Sequence, residues 1–335
     1  MKIYLTGGSG LLGSHFAEIA TAEGSRVVSL VRPTSNTAFL KSLSVSLSIG
    51  NLQDVGSLSS GMKDCDAVVH AASPIGGWGS PKSYEEGTVN ATRNIIAAME
   101  ASSVKTLIFI STVSVHGLDP IQGKPVSEAT GFGSWFLPYD HYGKAKVKAE
   151  KIVKEAHDAG KIQATVIRPG WIYGTRDNNS YGKLADMMRI GIAIKVGSGE
   201  NQLSLVYAGN VARAIWIALV KGSPDYRVYL CAKDGNATLN DYFESIARAT
   251  NTKRGPISLP KSFLLSLGAL QEYLSILSGY RIPVLLSRYV VYLLGSEFSF
   301  DQSLIEKDLG YSPQVSYEEG FAATEEWYSR SRSIK

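Results

Sequence analysis

Tyr142-Gly143-Lys144-Ala145-Lys146 sets a phenol and an ammonium four residues apart. On a helix, that spacing puts both side chains on one face, with Lys146 beside the Tyr142 hydroxyl. A free phenol keeps its proton up to a pKa of about 10. A neighbouring ammonium favours the phenolate and brings the group toward the range useful for general acid and base work. The chemistry this pair suits is proton transfer at the oxygen of an alcohol or a carbonyl. A hydride exchanged at the adjoining carbon needs that matched proton, and the oxygen needs a second hydrogen bond to hold it. Thr112, about 30 residues upstream at the end of an apolar run, is the first candidate for that bond; Ser111 and Ser114 are weaker ones. Asn90 could hold a water that links Lys146 to solvent.

A hydride needs a carrier, and the chain opens with a place for one. Thr6-Gly7-Gly8-Ser9-Gly10-Leu11-Leu12-Gly13 has the spacing G-x-x-G-x-x-G, directly after an apolar run and at the start of a helical one. Gly7 permits a tight turn, Gly10 a close approach of backbone to a pyrophosphate, and Gly13 close packing of helix on strand. Ser9, Leu11 and Leu12 complete a turn whose unpaired N–H groups and partial positive charge favour phosphates. The reading is a dinucleotide site. At the end of the next strand, Val31-Arg32-Pro33-Thr34-Ser35 offers no carboxylate for an adenosine ribose. Arg32 can instead grip a 2′-phosphate, which favours NADP over NAD. Asn51-Leu52 falls where an adenine amino group would lie. The small residues Ala71-Ala72-Ser73 leave room for a nicotinamide ribose, and His70 before them reads as structural.

The elements that must position these residues alternate. Strands are expected over 3–6, 26–31, 45–49, 66–71, 104–111, 162–168 and 227–232. Helices are expected over 10–23, 84–101, 139–157, 181–191, 211–220 and 239–249, which is the pattern of a parallel sheet covered by helices. From Pro260 onward, apolar helix-forming stretches are broken by Gly and Pro.

Together these residues resemble the extended short-chain dehydrogenase/reductase family. Thr6–Gly13 is similar to its glycine turn. Ser111-Thr112-Val113-Ser114-Val115-His116-Gly117 looks like its catalytic Ser/Thr segment, with His116 where Tyr is usual. Tyr142 and Lys146 match its catalytic pair. Arg168-Pro169-Gly170-Trp171-Ile172-Tyr173-Gly174 resembles its R-P-x-x-x-Y-G segment. The resemblance implies an α/β fold: a Rossmann-type doubly wound parallel sheet with a smaller, mostly helical C-terminal substrate lobe. It implies residues 1–169 and 204–234 in the cofactor domain, and 170–203 and 235–335 in the lobe. It also implies that Ser111, Tyr142, Lys146, Pro169, Gly170 and Ile172 join the cofactor contacts. Sugar-nucleotide epimerases and dehydratases of this family carry an Arg, gripping the diphosphate, where Leu203 stands here. Asn210-Val211-Ala212 and the C-terminal Asp308-Leu309-Gly310-Tyr311 look more like the 3β-hydroxysteroid and sterol-carboxylate dehydrogenase branch, and Arg32 like the dihydroflavonol reductases. The function expected is interconversion of a secondary alcohol and a ketone on a small hydrophobic substrate, with a sugar-nucleotide epimerase or dehydratase as the alternative.

The bulk figures fit an ordinary enzyme. Hydrophobic residues make up 44% and charged residues 19%, with a net charge of +4 spread along the chain, which does not argue for nucleic acid. Cys65 and Cys231 have no metal-ligand spacing and read as buried thiols; no metal is expected. The start Lys2-Ile3-Tyr4-Leu5 is too short for a signal core, and the apolar run Ile282–Gly295 is about half a bilayer span. A cytoplasmic protein without an integral span is expected; peripheral membrane contact and a homodimer stay open. Residues Phe263–Leu294 read either as a lobe packing on itself or as the wall of a lipophilic pocket. His141 is expected to face away from Tyr142, and His15 and His157 to lie on the surface.

Overall fold

The computed structural model describes residues 1–75, 77–118 and 125–333. Its strands are β1 (Lys2–Thr6), β2 (Arg26–Val31), β3 (Ser46–Ile49), β4 (Ala67–His70), β5 (Thr106–Ile110), β6 (Gln163–Pro169), β7 (Trp171–Tyr173), β8 (Ile194–Val196), β9 (Leu205–Tyr207), β10 (Arg227–Cys231) and β11 (Ile257–Leu259). The longer helices are α1 (Leu11–Ala22), α2 (Ala38–Ser42), α3 (Val55–Met62), α4 (Pro81–Tyr84), α5 (Ala91–Ser102), α6 (His141–Asp158), α7 (Tyr181–Arg189), α8 (Ala208–Lys221), α9 (Leu239–Thr250), α10 (Lys261–Leu277), α11 (Arg288–Gly295), α12 (Ser303–Leu309) and α13 (Tyr317–Ser333).

Seven strands form one parallel sheet in the order β10-β6-β5-β4-β1-β2-β3. The chain winds outward one way through β2 and β3 and the other way through β4, β5 and β6. The order therefore reverses between β1 and β4, and the crevice beyond their carboxyl ends is where such sheets bind ligands. Alternate residues feed opposite faces. Ile3, Leu5, Ile108 and Ile110 pack with α1 and α8, whereas Tyr4, Leu107, Phe109 and Val166 pack with α3, α5 and α6. A third apolar cluster gathers Tyr173, Tyr181, Tyr242, Phe321 and Tyr328 from the second half; the Tyr181 and Tyr242 rings stand 5.7 Å apart, edge to face.

The expected doubly wound α/β sheet is present, and each strand expected from sequence matches an observed one within two residues. The three-residue strands β7, β8, β9 and β11 carry no period long enough to read. The expected helix over 84–101 is interrupted: Glu85–Asn90 forms a π-helical turn between α4 and α5, a local widening often seen at functional sites.

Two histidines depart from expectation. His15 is buried, its Nε2 lying 3.1 Å from the Thr175 carbonyl, and burial holds its pKa down at about 3. The residues that bury it come from the crossing into the second half, far along the chain. His157 is partly covered and accepts from the Ala164 amide at 3.2 Å. Both cysteines are buried free thiols. Among the described residues, no helix is long and apolar enough to cross a membrane.

Candidate active site

The glycine turn joins β1 to α1. Gly7 has φ +78°, and a side chain there would press on the Ala72 amide, 2.9 Å from its Cβ. A Cβ on Gly13 would overlap the Gly7 carbonyl. Gly10 caps α1 through backbone alone, and the first turn of α1 holds no acidic residue. Ser9 and Gly10 are exposed, with Leu11 beside them partly so and Leu12 buried. An uncapped helix N-terminus open to solvent at the sheet's switch point is a cradle for phosphates. The chain therefore fits a dinucleotide.

Ala71 and Ala72 end β4 against this turn. The Ala72 amide donates to Thr6 Oγ1 at 3.2 Å, and the same hydroxyl lies 2.7 Å from His70 Nδ1. Ser73 Oγ sits 2.9 Å from Thr88 Oγ1. Arg32 is exposed at the end of β2, its amide donating to Ser35 Oγ at 3.2 Å. Asn51 uses its side-chain oxygen to accept from the Gln53 amide at 2.8 Å, and the Leu52 carbonyl accepts from Asn94 Nδ2 at 2.8 Å. Pro169 is buried; a Cβ on Gly170 would overlap the Ala232 carbonyl, and Ile172 packs against the sheet core. These last three have packing tasks that their sequence context did not reveal.

The chemistry-bearing residues gather at the carboxyl ends of β4 and β5. The buried face of α6 runs Gly143, Lys146, Glu150 and Val153, so a lysine and a glutamate stand where apolar residues are the rule. Asp140 starts this helix, its Oδ1 accepting from the Gly143 amide at 2.8 Å. Lys146 Nζ donates to the Ile110 carbonyl at 2.8 Å and lies 5.2 Å from the centre of the Phe109 ring. Two residues on is Thr112. Tyr142 lies one turn before Lys146, with the Tyr84 ring 6.2 Å away. The Lys146 charge reaches His70, whose pKa burial and that charge together push down to about 3. A set of contacts thus runs from the glycine turn through Thr6 and His70 to the Phe109 ring, and from there to Lys146 and the Ile110 carbonyl.

The electrostatics differ from the expected phenolate. Burial pushes the Tyr142 phenol up to about 12, with the Thr112 hydroxyl acting the other way and Asp140 adding to the rise. Burial also brings Lys146 down to about 8, against the pull of Glu150. In the protein alone, desolvation decides the state of the phenol. Burial raises Asp140 to about 6.

Ser111, offered as a cofactor contact and a weaker oxygen holder, donates its hydroxyl to the Glu150 carboxylate. Glu150 is also gripped by Arg168, at 2.6 Å through Nη2 and 3.0 Å through Nε, and His116 Nε2 lies 3.4 Å from Arg168 Nη1. Asn90 sits on the π turn and accepts from Arg93 Nη1 at 2.9 Å. Thr112 Oγ1 donates to Ser114 Oγ at 3.1 Å, which is 2.7 Å from Tyr289 Oη on α11. Ser114, Asp140 and Tyr289 line a cavity with Trp171, Leu203 and Phe300. Sequence reasoning missed Glu150, Asp140 and Tyr289. Only Glu150 left a signal, four residues past Lys146 on the same stripe.

The sequence pattern of the NAD dependent epimerase/dehydratase family matches residues 3–232. The chain belongs to this family, the extended short-chain dehydrogenases/reductases. It is an enzyme of that NAD(P)-dependent type. It is similar to a 2-alkyl-3-oxoalkanoate reductase of Stenotrophomonas maltophilia (strain K279a), 28% identical over 96% of this chain and 97% of that one. It is similar to the N-acetyl-alpha-D-glucosaminyl-diphospho-ditrans,octacis-undecaprenol 4-epimerase of Escherichia coli O157:H7, 29% identical over 84% and 82%. It is also similar to a decarboxylating sterol-4-alpha-carboxylate 3-dehydrogenase of Dictyostelium discoideum, 26% identical over 95% and 98%. The fold superposes on a UDP-glucuronic acid 4-epimerase from Bacillus cereus, solved with UDP-glucuronic acid and NAD, with a TM-score of 0.76, 21% identity and coverage of 98% and 99%.

Proposed function

We propose that this protein is an NADP-dependent dehydrogenase or reductase that interconverts a secondary alcohol and a ketone on an apolar substrate. The observation that carries the substrate class is Leu203. It is buried and lines the cavity beside Ser114, at the place where the sugar-nucleotide branch carries its diphosphate-gripping Arg. An apolar wall there leaves a diphosphate without a partner. Trp171, Leu293, Phe298 and Phe300 extend the same wall.

When bound, the nicotinamide supplies or accepts the hydride at the substrate carbon. Tyr142 exchanges the proton at the substrate oxygen, and Thr112 holds that oxygen. Lys146 carries the positive charge that favours the phenolate and reaches the nicotinamide ribose. The glycine turn, with Leu11, holds the pyrophosphate, and Arg32 meets a 2′-phosphate. The lobe division expected from sequence, 1–169 with 204–234 and 170–203 with 235–335, belongs to this proposal, as does a cytoplasmic location.

The test is oxidation of NADPH and of NADH by the purified protein against steroid, β-keto-acyl and flavonoid ketones. Turnover with NADPH preferred is expected. A second reading, a sugar-nucleotide epimerase, draws on the similarity to the 4-epimerase. Turnover of UDP- or dTDP-sugars without net consumption of cofactor, and none of the ketones, would establish it instead.

A further inference from the structure

Helix α10 turns its polar contacts inward and its apolar ones outward. The inward face steps through Leu264, Gly268, Glu272 and Ser275. A Cβ on Gly268 would come within 3.0 Å of the Leu286 carbonyl, so the helix lies close against the segment leading into α11. Glu272, only 4% exposed at its side chain, pairs with Arg288 at 2.7 Å, and Ser275 accepts the Trp78 indole N–H at 2.9 Å. Phe263, Leu270, Leu274 and Leu277 form one outward stripe with Tyr273 beside it, all exposed. The other exposed positions on the helix are serines. Leu277 is 66% exposed, and Leu285 in the following segment 81%. A continuous apolar ridge of this kind marks an interaction surface.

The sequence around the ridge is net basic. Residues 251–297 hold Lys253, Arg254, Lys261, Arg281 and Arg288 against two acids, Glu297 and Glu272, the latter already paired with Arg288. Lys253, Arg254 and Arg281 are exposed. A second copy packed on the same face would bring these cations together, whereas anionic headgroups complement them. With 17 residues, α10 is about 25 Å long, fit to lie in the interface.

We propose that the outward face of α10 docks on an anionic lipid bilayer, with its stripe among the acyl chains and its cations at the headgroups. Trp78 links this helix to the site: its ring packs on Tyr139, 6.1 Å away and three residues before Tyr142, and on Tyr280 at 5.9 Å. The docked face then borders the mouth of the cleft, so an apolar substrate reaches the site from the lipid. That last clause rests on the ketone reading; the docking itself does not.

The test is co-sedimentation of the full chain with vesicles of phosphatidylcholine alone or mixed with phosphatidylglycerol. The protein should bind the mixed vesicles, more weakly as salt rises, and bind the neutral ones far less. The triple variant Leu270→Glu, Leu274→Glu, Leu277→Glu should lower partitioning by about a hundredfold or more. Its cofactor affinity in solution should stay unchanged, because the substituted side chains face outward. Protein left in the supernatant with both vesicle types overturns the proposal. So does a lipid-free dimer, seen by analytical ultracentrifugation, that the triple variant abolishes, since that assigns the face to a second copy. Neither readout uses turnover, so failure here leaves the ketone reading standing, and an inactive ketone panel leaves the vesicle result standing.

Discussion

Replacing Tyr142 by Phe removes one oxygen and keeps the ring against Tyr84. Proton exchange at the substrate oxygen should then lose on the order of 10³-fold in kcat. Titration of the variant with NADPH should give nearly the parent Kd, because the phosphates are held elsewhere; unchanged turnover would remove Tyr142 from the mechanism. Lys146 sets the upper limit in pH. Its ammonium is half lost at about pH 8 and present in full only about a unit or more below that. Carbonyl reduction should therefore show kcat/KM flat in neutral solution, halved near pH 8 and falling toward tenfold per unit above it. Lys146→Arg keeps the charge at alkaline pH but does not reproduce the lysine's geometry. That variant should be slower throughout, and its pH profile should lack the alkaline fall. A fall that persists would point to another group.

At the scale of elements, the join between α6, β5 and β6 depends on Glu150. It is fully buried and receives Arg168 and Ser111. Glu150→Ala leaves a guanidinium buried without its partner, a loss of about 3–5 kcal/mol. Urea unfolding should register it, and the double variant Glu150→Gln, Arg168→Met should recover part of it. This pair was not legible in the sequence, because Glu150 and Arg168 come from different elements and meet only once α6 lies on the sheet. Tyr289 meets Ser114 across 175 positions and was equally hidden. The strands of the main sheet were legible because their apolar residues run on or alternate over four to seven positions. The glycine turn and the Tyr142–Lys146 pair were legible because their geometry is local, set within one turn. The partner of Ser111 was hidden for the complementary reason: a strand end does not reveal which way a hydroxyl points. The π turn at Glu85–Asn90 left no residue-type signature. The apolar content of α10 was plain, but its outward orientation depends on Gly268, Glu272 and Ser275 finding partners elsewhere.

For the whole molecule, the three packed clusters leave little room for charge, and the imidazoles feel this most. His15, His70 and His116 are all buried, and burial holds their pKa values at about 3, 3 and 4. Released into water, each would titrate near 6.5. Unfolding in mild acid therefore draws protons from the buffer, and stability drains away as pH falls from about 6.5 toward 4. Asp140 and Asp234 work against this, because burial raises both to about 6 and the folded chain protonates them first. Burial also lowers His141 and raises Asp177, one acting on each side. Denaturant unfolding at pH 6.5, 5.5 and 4.5 should show stability falling with pH, and a rise would mean that the buried carboxyls outweigh the imidazoles. The burial that sets His70 against Thr6 at the crevice thus gives the fold a sensitivity to acid, because an imidazole locked there neutral takes up a proton once it is released into water.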